Sequence, residues 1–209
     1  MTTDNNSEPV PPTVNDLSDR LYEVIADGID NVFRVYFKGA DVITDDRFFR
    51  INSGLPHPMA NLMITWKQNE IEILTEGIEP YTSDAFPSGV LCLGDVGGEA
   101  ESLLKDRGFQ LAEAMPAMAV ELQNLAEATL GNDYTFRKVG PEEHDLWVDA
   151  FAKGYELPRE FAERIGPAHA ASVANEDEEH RHYLVFHGDL PVSTSLDLIR
   201  DGIVEVYCI

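Results

Sequence analysis

The sequence HYLVFHGDLPVSTSLDLIRDGIVEVYCI, residues 182–209, contains three apolar runs separated by two turn signals. The turn signals are Gly188-Asp189 and Arg200-Asp201-Gly202, and the runs are rich in β-branched and aromatic residues. This pattern is typical of strands joined by tight hairpins. We therefore expect three consecutive antiparallel strands: His182–His187, Pro191–Leu198 and Ile203–Ile209.

The residues before this meander predict one strand and then helices. Tyr134–Val139 alternates between apolar and polar residues, as a half-buried strand does. Pro141 followed by two glutamates is typical of a helix start, because proline fits the first helical turn and acidic groups favour it. Two further helical segments, Arg159–Ile165 and Ala168–Val173, follow. The second half is thus expected to be one strand, then helices, then three hairpin-connected strands.

The first half of the chain alternates between predicted strands and predicted helices. Residues 1–14 are rich in Pro, Asn, Ser and Thr and are expected to form a flexible leader. Residues 131–133, Gly-Asn-Asp, are the best candidate for a linker. Apolar spacing and turn residues predict helices at Leu17–Ile25, Asn69–Glu76 and Glu99–Arg107, and strands at Val32–Phe37, Arg47–Ile51, Asn61–Trp66 and Gly89–Leu93.

This order of elements predicts a mixed α/β fold of the α+β kind, with mostly antiparallel sheet flanked by helices. The chain has 209 residues, 44% of them hydrophobic, which is enough for one large domain or two small ones. We expect one domain at residues 15–131 and a second at residues 132–209, after the leader.

The charge of the chain excludes some partners. Its 38 acidic and 15 basic residues give a formal net charge of -23, which argues against binding to nucleic acid or to an anionic membrane surface. No apolar run approaches the length of a membrane helix, and the amino-terminal residues are polar and acidic, so we expect a cytoplasmic protein. The acidity is spread along the chain, which also suggests adaptation to salt.

The cysteines and histidines do not predict a disulfide or a metal site. Cys92 and Cys208 each lie inside an apolar run, where cysteine behaves as a small buried hydrophobe, and no partner that would lower the pKa of Cys208 is evident. His182 and His187 differ by an odd number of positions, so on a regular strand they point to opposite faces and do not form a metal cluster with His180. We predict no metal.

Several phrases of the sequence resemble one known family. The element order of the second half, together with HGDLPVS at residues 187–193 and DGIVEVYCI at residues 201–209, resembles the first half of a Gcn5-related N-acetyltransferase domain. The phrases GLPHPMAN at residues 54–61, LLKDRGF at residues 103–109 and MPAMA at residues 115–119 resemble the degenerate amino-terminal domain of tandem members of that family.

The resemblance implies an acyl-CoA-dependent N-acyltransferase that moves an acetyl group from acetyl-CoA to a primary amine on a small molecule or peptide. The backbone of Cys208 and Ile209 aligns with the family's strand end that binds the pantetheine arm and polarises the thioester carbonyl. Glu205 is the candidate general base, and Tyr207, on the same face of the strand, is the second candidate catalytic residue. The alternative for Glu205 is a solvent-facing or cross-strand-paired charge.

The sequence departs from the family pattern after the fourth strand of this domain. In the family that strand leads into a glycine-rich loop whose backbone amides bind the coenzyme pyrophosphate, and this loop is not among the 209 residues. We therefore expect a domain truncated after its fourth strand and inactive as this chain. Residues 94–98, Gly-Asp-Val-Gly-Gly, lack the lysine and serine of a phosphate loop and are expected to be a turn and a helix start.

A different class of function fits the same sequence. A non-catalytic binding or regulatory module could pair with a partner protein through its open terminal strand, because an apolar strand with a free edge recruits another chain. The same edge predicts self-association. Ser193, Thr194 and Ser195 have no assigned base and are expected to be ordinary strand residues.

Overall fold

The computed structural model describes residues 14–82, 86–114, 116–173 and 179–208, with side chains from residue 21 onward in those ranges. The chain divides into two compact units. We call residues 20–118 the first unit, and we call the unit that contains residues 119–208 the second unit. The predicted leader, except its last residue, lies outside the described residues.

The first unit contains a four-stranded sheet with the order β1-β2-β3-β4. The first three strands are antiparallel, and β4 joins β3 in parallel because helix α2 crosses between them. Its core includes Phe48, Met63, Leu74 and Ile78. Its elements are the part of helix α1 (Val14–Tyr36) from Arg20 onward, β1 Asp41–Thr44, β2 Phe48–Asn52, β3 Asn61–Thr65, α2 Ile71–Ile78, β4 Gly89–Cys92 and α3 Gly98–Asp106.

The second unit contains an antiparallel sheet with the order β5-β6-β7-β8. Both residues of the β7–β8 turn, Asp201 and Gly202, have left-handed backbone with φ of 49° and 76°, as the favoured Asp-Gly hairpin turn requires. The elements are β5 Tyr134–Val139, α4 His144–Gly154, α5 Arg159–Ile165, α6 Pro167–Val173, β6 Glu179–His187, β7 Leu190–Arg200 and β8 Ile203–Tyr207.

The core of the second unit lies between helix α4 and strands β6 and β7. Trp147 and Phe151 of α4 are buried and stack at 5.0 Å between ring centroids. On the sheet, alternate residues of β6 and β7, such as Leu184 and Leu196, are fully buried. The helices therefore cover one face of the sheet, and residues at alternate positions along each strand point toward them.

The predicted fold class is confirmed: the described residues form a mixed α/β structure with two mostly antiparallel sheets and flanking helices. The strand predicted at Val32–Phe37 is wrong, because α1 continues to Tyr36. Phe33 and Phe37 are four residues apart and stack at 5.2 Å, so helical spacing buries both rings. A short apolar run does not distinguish strand from helix by itself.

Two further details differ from the sequence analysis. Strand β1, Asp41–Thr44, forms where only a loop was expected. It is four residues long, and its extended conformation is stabilised by antiparallel pairing with β2. Helical spacing predicts one apolar stripe after Pro141, but two of its members, Leu146 and Tyr155, are exposed. The predicted stripe consists of Leu146, Trp147, Ala150, Phe151 and Tyr155. No helix among the described residues is long and apolar enough to cross a membrane.

Candidate functional site

Strand β8 presents two different faces. Glu205 lies opposite the buried Leu198, and Tyr207 lies opposite the buried Leu196, so both side chains are on the face that the helices cover. Val204 and Val206 point to the other face and are 37% and 50% exposed. The structure therefore places the two predicted catalytic residues on one side of the strand, as strand alternation requires.

The Glu205 carboxylate is largely buried and has a partner at each oxygen. Arg200 Nε donates to Oε1 at 3.2 Å, and the Tyr207 hydroxyl donates to Oε2 at 2.5 Å. The side chain of Glu205 is 10% exposed. Since Arg200 is on β7, Glu205 forms a cross-strand ion pair, and its burial is compensated by charge and hydrogen bonding.

The Tyr207 hydroxyl is a stable hydrogen-bond donor. Burial raises the pKa of the phenol well above its ordinary value, and the adjacent Glu205 carboxylate raises it further. The phenol therefore stays protonated at neutral pH and donates to Glu205.

Cys208 lies one residue beyond the β7–β8 ladder, whose final pair is Leu196 with Tyr207. Its backbone is left-handed, with φ of 60°, a conformation that costs a residue other than glycine about 1–3 kcal/mol. Burial raises the pKa of the thiol to about 12, so it stays protonated and is not poised as a nucleophile. Ile209, the other predicted cofactor-binding residue, lies outside the described residues.

A hydrogen bond from Thr194 holds the end of β8. Thr194 is 6% exposed, and its hydroxyl donates to the Cys208 carbonyl oxygen at 2.6 Å. The expectation that residues 193–195 are ordinary strand residues missed this contact. A buried hydroxyl needs a partner, but the partner is a main-chain oxygen fourteen residues away that no sequence pattern marks.

A cavity of about 290 Å³ adjoins this strand end. It shares Thr194 with the Cys208 hydrogen bond, and Cys208 is close enough to Tyr155 to add to the pKa increase that burial causes in that phenol. None of the residues around it carries a formal charge. They are Ala150, Gly154, Tyr155, Val192, Ser193 and Thr194.

His182 and His187, two of the histidines considered in the sequence, have different surroundings. His182 is buried, its Nε2 is 2.7 Å from the Ile165 carbonyl oxygen, and burial lowers its pKa to about 4. His187 is exposed and packs against Tyr134 at 4.9 Å between ring centroids. Within the described ranges no group of three or more His, Cys, Asp or Glu residues could hold a metal ion. The absence of a metal in function stays a prediction.

The first unit has a pocket of a different character. Its volume is about 270 Å³, and five of the residues around it are acidic: Glu23, Asp27, Asp30, Asp45 and Asp46. This charge disfavours anions, including the phosphates of a coenzyme. The Gly94–Gly98 segment leads into α3 at Gly98, and the Gly97 amide donates to Asn69 Oδ1 at 2.6 Å. That amide is thus already engaged within the unit.

Comparisons of the chain with protein-family models, with curated proteins and with solved structures find no match. The case for a function therefore depends on the geometry at the end of β8. There Glu205 contacts Arg200 and Tyr207, and the carbonyl of the next residue, Cys208, accepts the Thr194 hydroxyl. Tyr155 and the uncharged cavity complete the group. We call this group the β8 site.

Proposed function

We propose that the second unit belongs to an acyl-CoA-dependent N-acyltransferase and that the β8 site holds the acyl thioester and deprotonates the acceptor amine. The observation that carries the proposal is the position of Cys208. It directly follows Tyr207 on the chain, and its carbonyl oxygen accepts the hydroxyl of Thr194, a residue that lines the uncharged cavity. A proton acceptor and a neutral binding cavity thus adjoin the same strand end.

The cavity suits the thioester end of the donor. An acyl group and the arm that carries it are neutral, and the cavity has hydroxyl groups and apolar surface without charge. A volume of about 290 Å³ matches a short acyl chain with the first atoms of its carrier. The Cys208 N–H, which lies beyond the paired residues, is assigned to the thioester carbonyl oxygen, where it would stabilise the developing negative charge.

The Glu205–Tyr207 pair is assigned to the acceptor. Glu205 is too buried for direct contact with an ammonium group, so the proton passes from the amine to the Tyr207 oxygen as Tyr207 gives its own proton to Glu205. The neutral amine nitrogen then attacks the thioester carbonyl carbon. The C–N bond forms and the C–S bond breaks. Tyr155, whose raised pKa keeps it protonated, gives its proton to the departing thiolate, and the surplus proton of the attacking nitrogen returns to the Tyr155 oxygen, which leaves a neutral amide and a free thiol.

The proposal is tested with two donors that differ in the nucleotide. One is acetyl-CoA, and the other is S-acetyl-N-acetylcysteamine, which contains only the thioester end. We expect both to shift the amide resonances of residues 192–194 and of Cys208 in a titration followed by NMR. Release of free thiol in the presence of a panel of primary amines reports turnover, which this proposal expects in place of the inactivity inferred from the family's glycine-rich loop. Saturating titrations of both donors without a shift at these residues would refute the proposal.

Variants separate chemistry from binding. Glu205→Gln and Tyr207→Phe remove the proton acceptor and the relay, so we expect thiol release to fall by about 100-fold or more while the donor-induced shifts persist. Glu160 is an exposed carboxylate on α5, so Glu160→Gln is the matched control. It should leave thiol release and the donor-induced shifts unchanged. Full turnover in Tyr207→Phe would remove the relay from the proposal.

A second candidate function rests on the outer edge of β8. Among the described residues β8 pairs only with β7, and Val204 and Val206 are exposed beside the open edge. This arrangement favours strand addition by a partner protein, the non-catalytic alternative. Charged substitutions at this edge would abolish partner binding and leave thioester binding at the cavity intact, which distinguishes the two functions.

A further inference from the structure

We propose that Thr194 is a positioning residue that turns the end of β8 out of the sheet and toward the cavity assigned to the thioester. This inference rests on the function proposed above. A regular continuation of the ladder would place Cys208 opposite Ser195 and give it main-chain pairing with β7. Instead, the Cys208 carbonyl oxygen accepts the Thr194 hydroxyl at 2.6 Å. The Thr194 side chain thus replaces the main chain of β7 as the hydrogen-bond partner of Cys208.

The position of the Thr194 hydroxyl determines the direction in which the end of β8 bends. Thr194 is on the face of β7 that points toward the helices, as are Leu196 and Leu198. A carbonyl bound to that hydroxyl is drawn to the same side, which the left-handed backbone of Cys208 allows. The strand end therefore bends toward the helix side, where Thr194 also lines the cavity.

Backbone conformations on both sides of the cavity support this role. Apart from Asp201 in the β7–β8 turn, the described residues other than glycine with positive φ are Glu156 and Cys208. Glu156 follows Tyr155, which lines the cavity opposite β7. Costly conformations persist where the surrounding structure enforces them, and they concentrate at functional sites. For Cys208 the enforcing contact is the Thr194 hydroxyl.

The first test measures the backbone of Cys208 directly. Thr194→Val keeps the shape of the side chain and removes the hydroxyl, whereas Thr194→Ser keeps the hydroxyl. The three-bond coupling between the amide proton and Hα, with the 13Cα and 13Cβ shifts of Cys208, reports its φ. We expect a left-handed Cys208 in the wild type and in Thr194→Ser, and an extended Cys208 in Thr194→Val. Ser195→Ala, on the opposite face of β7, is the control and should match the wild type.

The second test measures thioester binding in the same variants, with S-acetyl-N-acetylcysteamine as the probe. We expect about a tenfold loss of affinity in Thr194→Val, since the displaced Cys208 N–H loses its hydrogen bond to the thioester carbonyl oxygen. In Thr194→Ser and Ser195→Ala we expect less than about a twofold change. A double variant, Thr194→Val with Cys208→Gly, adds a residue that adopts left-handed backbone without cost. We expect it to recover most of the affinity.

The outcomes separate this inference from the proposed function. A Thr194→Val protein whose Cys208 stays left-handed overturns the positioning role, whatever its affinity. If Thr194→Val does not fold, loss of the left-handed signature in Thr194→Ser overturns the role in the same way. A wild type that does not bind the probe, with Cys208 extended only in Thr194→Val, refutes the proposed function and supports the conformational role of Thr194.

Discussion

Tyr207 donates a 2.5 Å hydrogen bond to the carboxylate of Glu205, two residues earlier on the same strand. Side chains two residues apart on a strand point to the same face, so β8 itself brings the two groups together. Arg200 then joins the pair from β7 across the hairpin turn. The mostly buried Glu205 carboxylate therefore has hydrogen-bond donors from Arg200 and Tyr207, and all three residues lie within eight positions of one another in the sequence.

The Glu205–Tyr207 hydrogen bond should contribute to stability. Tyr207→Phe leaves Glu205 Oε2 without its phenol donor in a buried position, which costs about 1–3 kcal/mol. Urea denaturation followed by circular dichroism measures the loss. Tyr134→Phe, at an exposed position on β5, is the control and should change stability by less than about 0.5 kcal/mol. Equal losses in the two variants would show that the buried hydrogen bond contributes nothing.

His182 should make the protein less stable in acid. Its pKa is about 4 in the folded protein because burial disfavours the charged ring, against an ordinary value of 6.5. The unfolded chain therefore binds this proton more readily, and stability falls as the pH decreases from about 6.5 to about 4. The difference of about 2.5 pKa units corresponds to about 3 kcal/mol at the lower end. Above pH 6.5 this residue adds no pH dependence.

Denaturation series between pH 4 and pH 8 test the His182 prediction. Acidic residues also titrate in this window, so the quantity to compare is the difference between the wild type and His182→Gln. We expect His182→Gln to be less stable at pH 8, because it replaces a packed ring, and to lose less stability than the wild type on acidification. Parallel pH profiles for the two proteins would contradict the prediction.

Cys208 should react slowly with thiol reagents. At pH 8 a thiol with a pKa of about 12 has roughly a thousandfold less thiolate than one at the ordinary value of 9.0, and the thiolate is the reactive form. Alkylation by iodoacetamide in a Cys92→Ser background, followed by mass spectrometry, compares the folded protein with the protein in urea. A folded-state rate close to the rate in urea would mean that Cys208 is accessible and ionised.

The formal net charge of -23 predicts a stabilising effect of salt. Repulsion among carboxylates destabilises the compact state, and the screening length falls from about 10 Å at 0.1 M salt to about 3 Å at 1 M. We expect Tm to rise by several degrees over this range of sodium chloride. A Tm that stays constant or falls would remove the hypothesis of adaptation to salt.

The open edge of β8 predicts concentration-dependent association. Val204 and Val206 are exposed, and among the described residues no strand pairs with the outer edge of β8. Size-exclusion chromatography with light scattering should show a mass that increases with concentration in the wild type and less so in Val206→Lys, since a charge on an edge strand opposes pairing. A strict monomer at high concentration in both proteins would refute association through this edge.

Local chemistry explains why most elements could be predicted. The three strands of the meander were recognised because Gly188 and the Asp201-Gly202 pair mark turns, and because the runs between them alternate in polarity. The shared face of Glu205 and Tyr207 followed from the same alternation. In contrast, the apolar pattern of Val32–Phe37 is compatible with both a strand and a helix. The segment is helical to Tyr36, and Phe33 packs against Phe49 of the first unit's sheet, with 6.0 Å between ring centroids.

The sequence by itself determined the order of elements in the second unit and the pair of side chains on β8, because turn residues and strand periodicity act over a few positions. Only the tertiary structure decided that Glu205 is buried against Arg200, that Thr194 binds the Cys208 carbonyl and that Tyr155 faces a cavity beside it. Thr194 and Tyr155 lie on different elements and meet the end of β8 only through folding. Burial and strand register, which depend on the whole unit, created the β8 site.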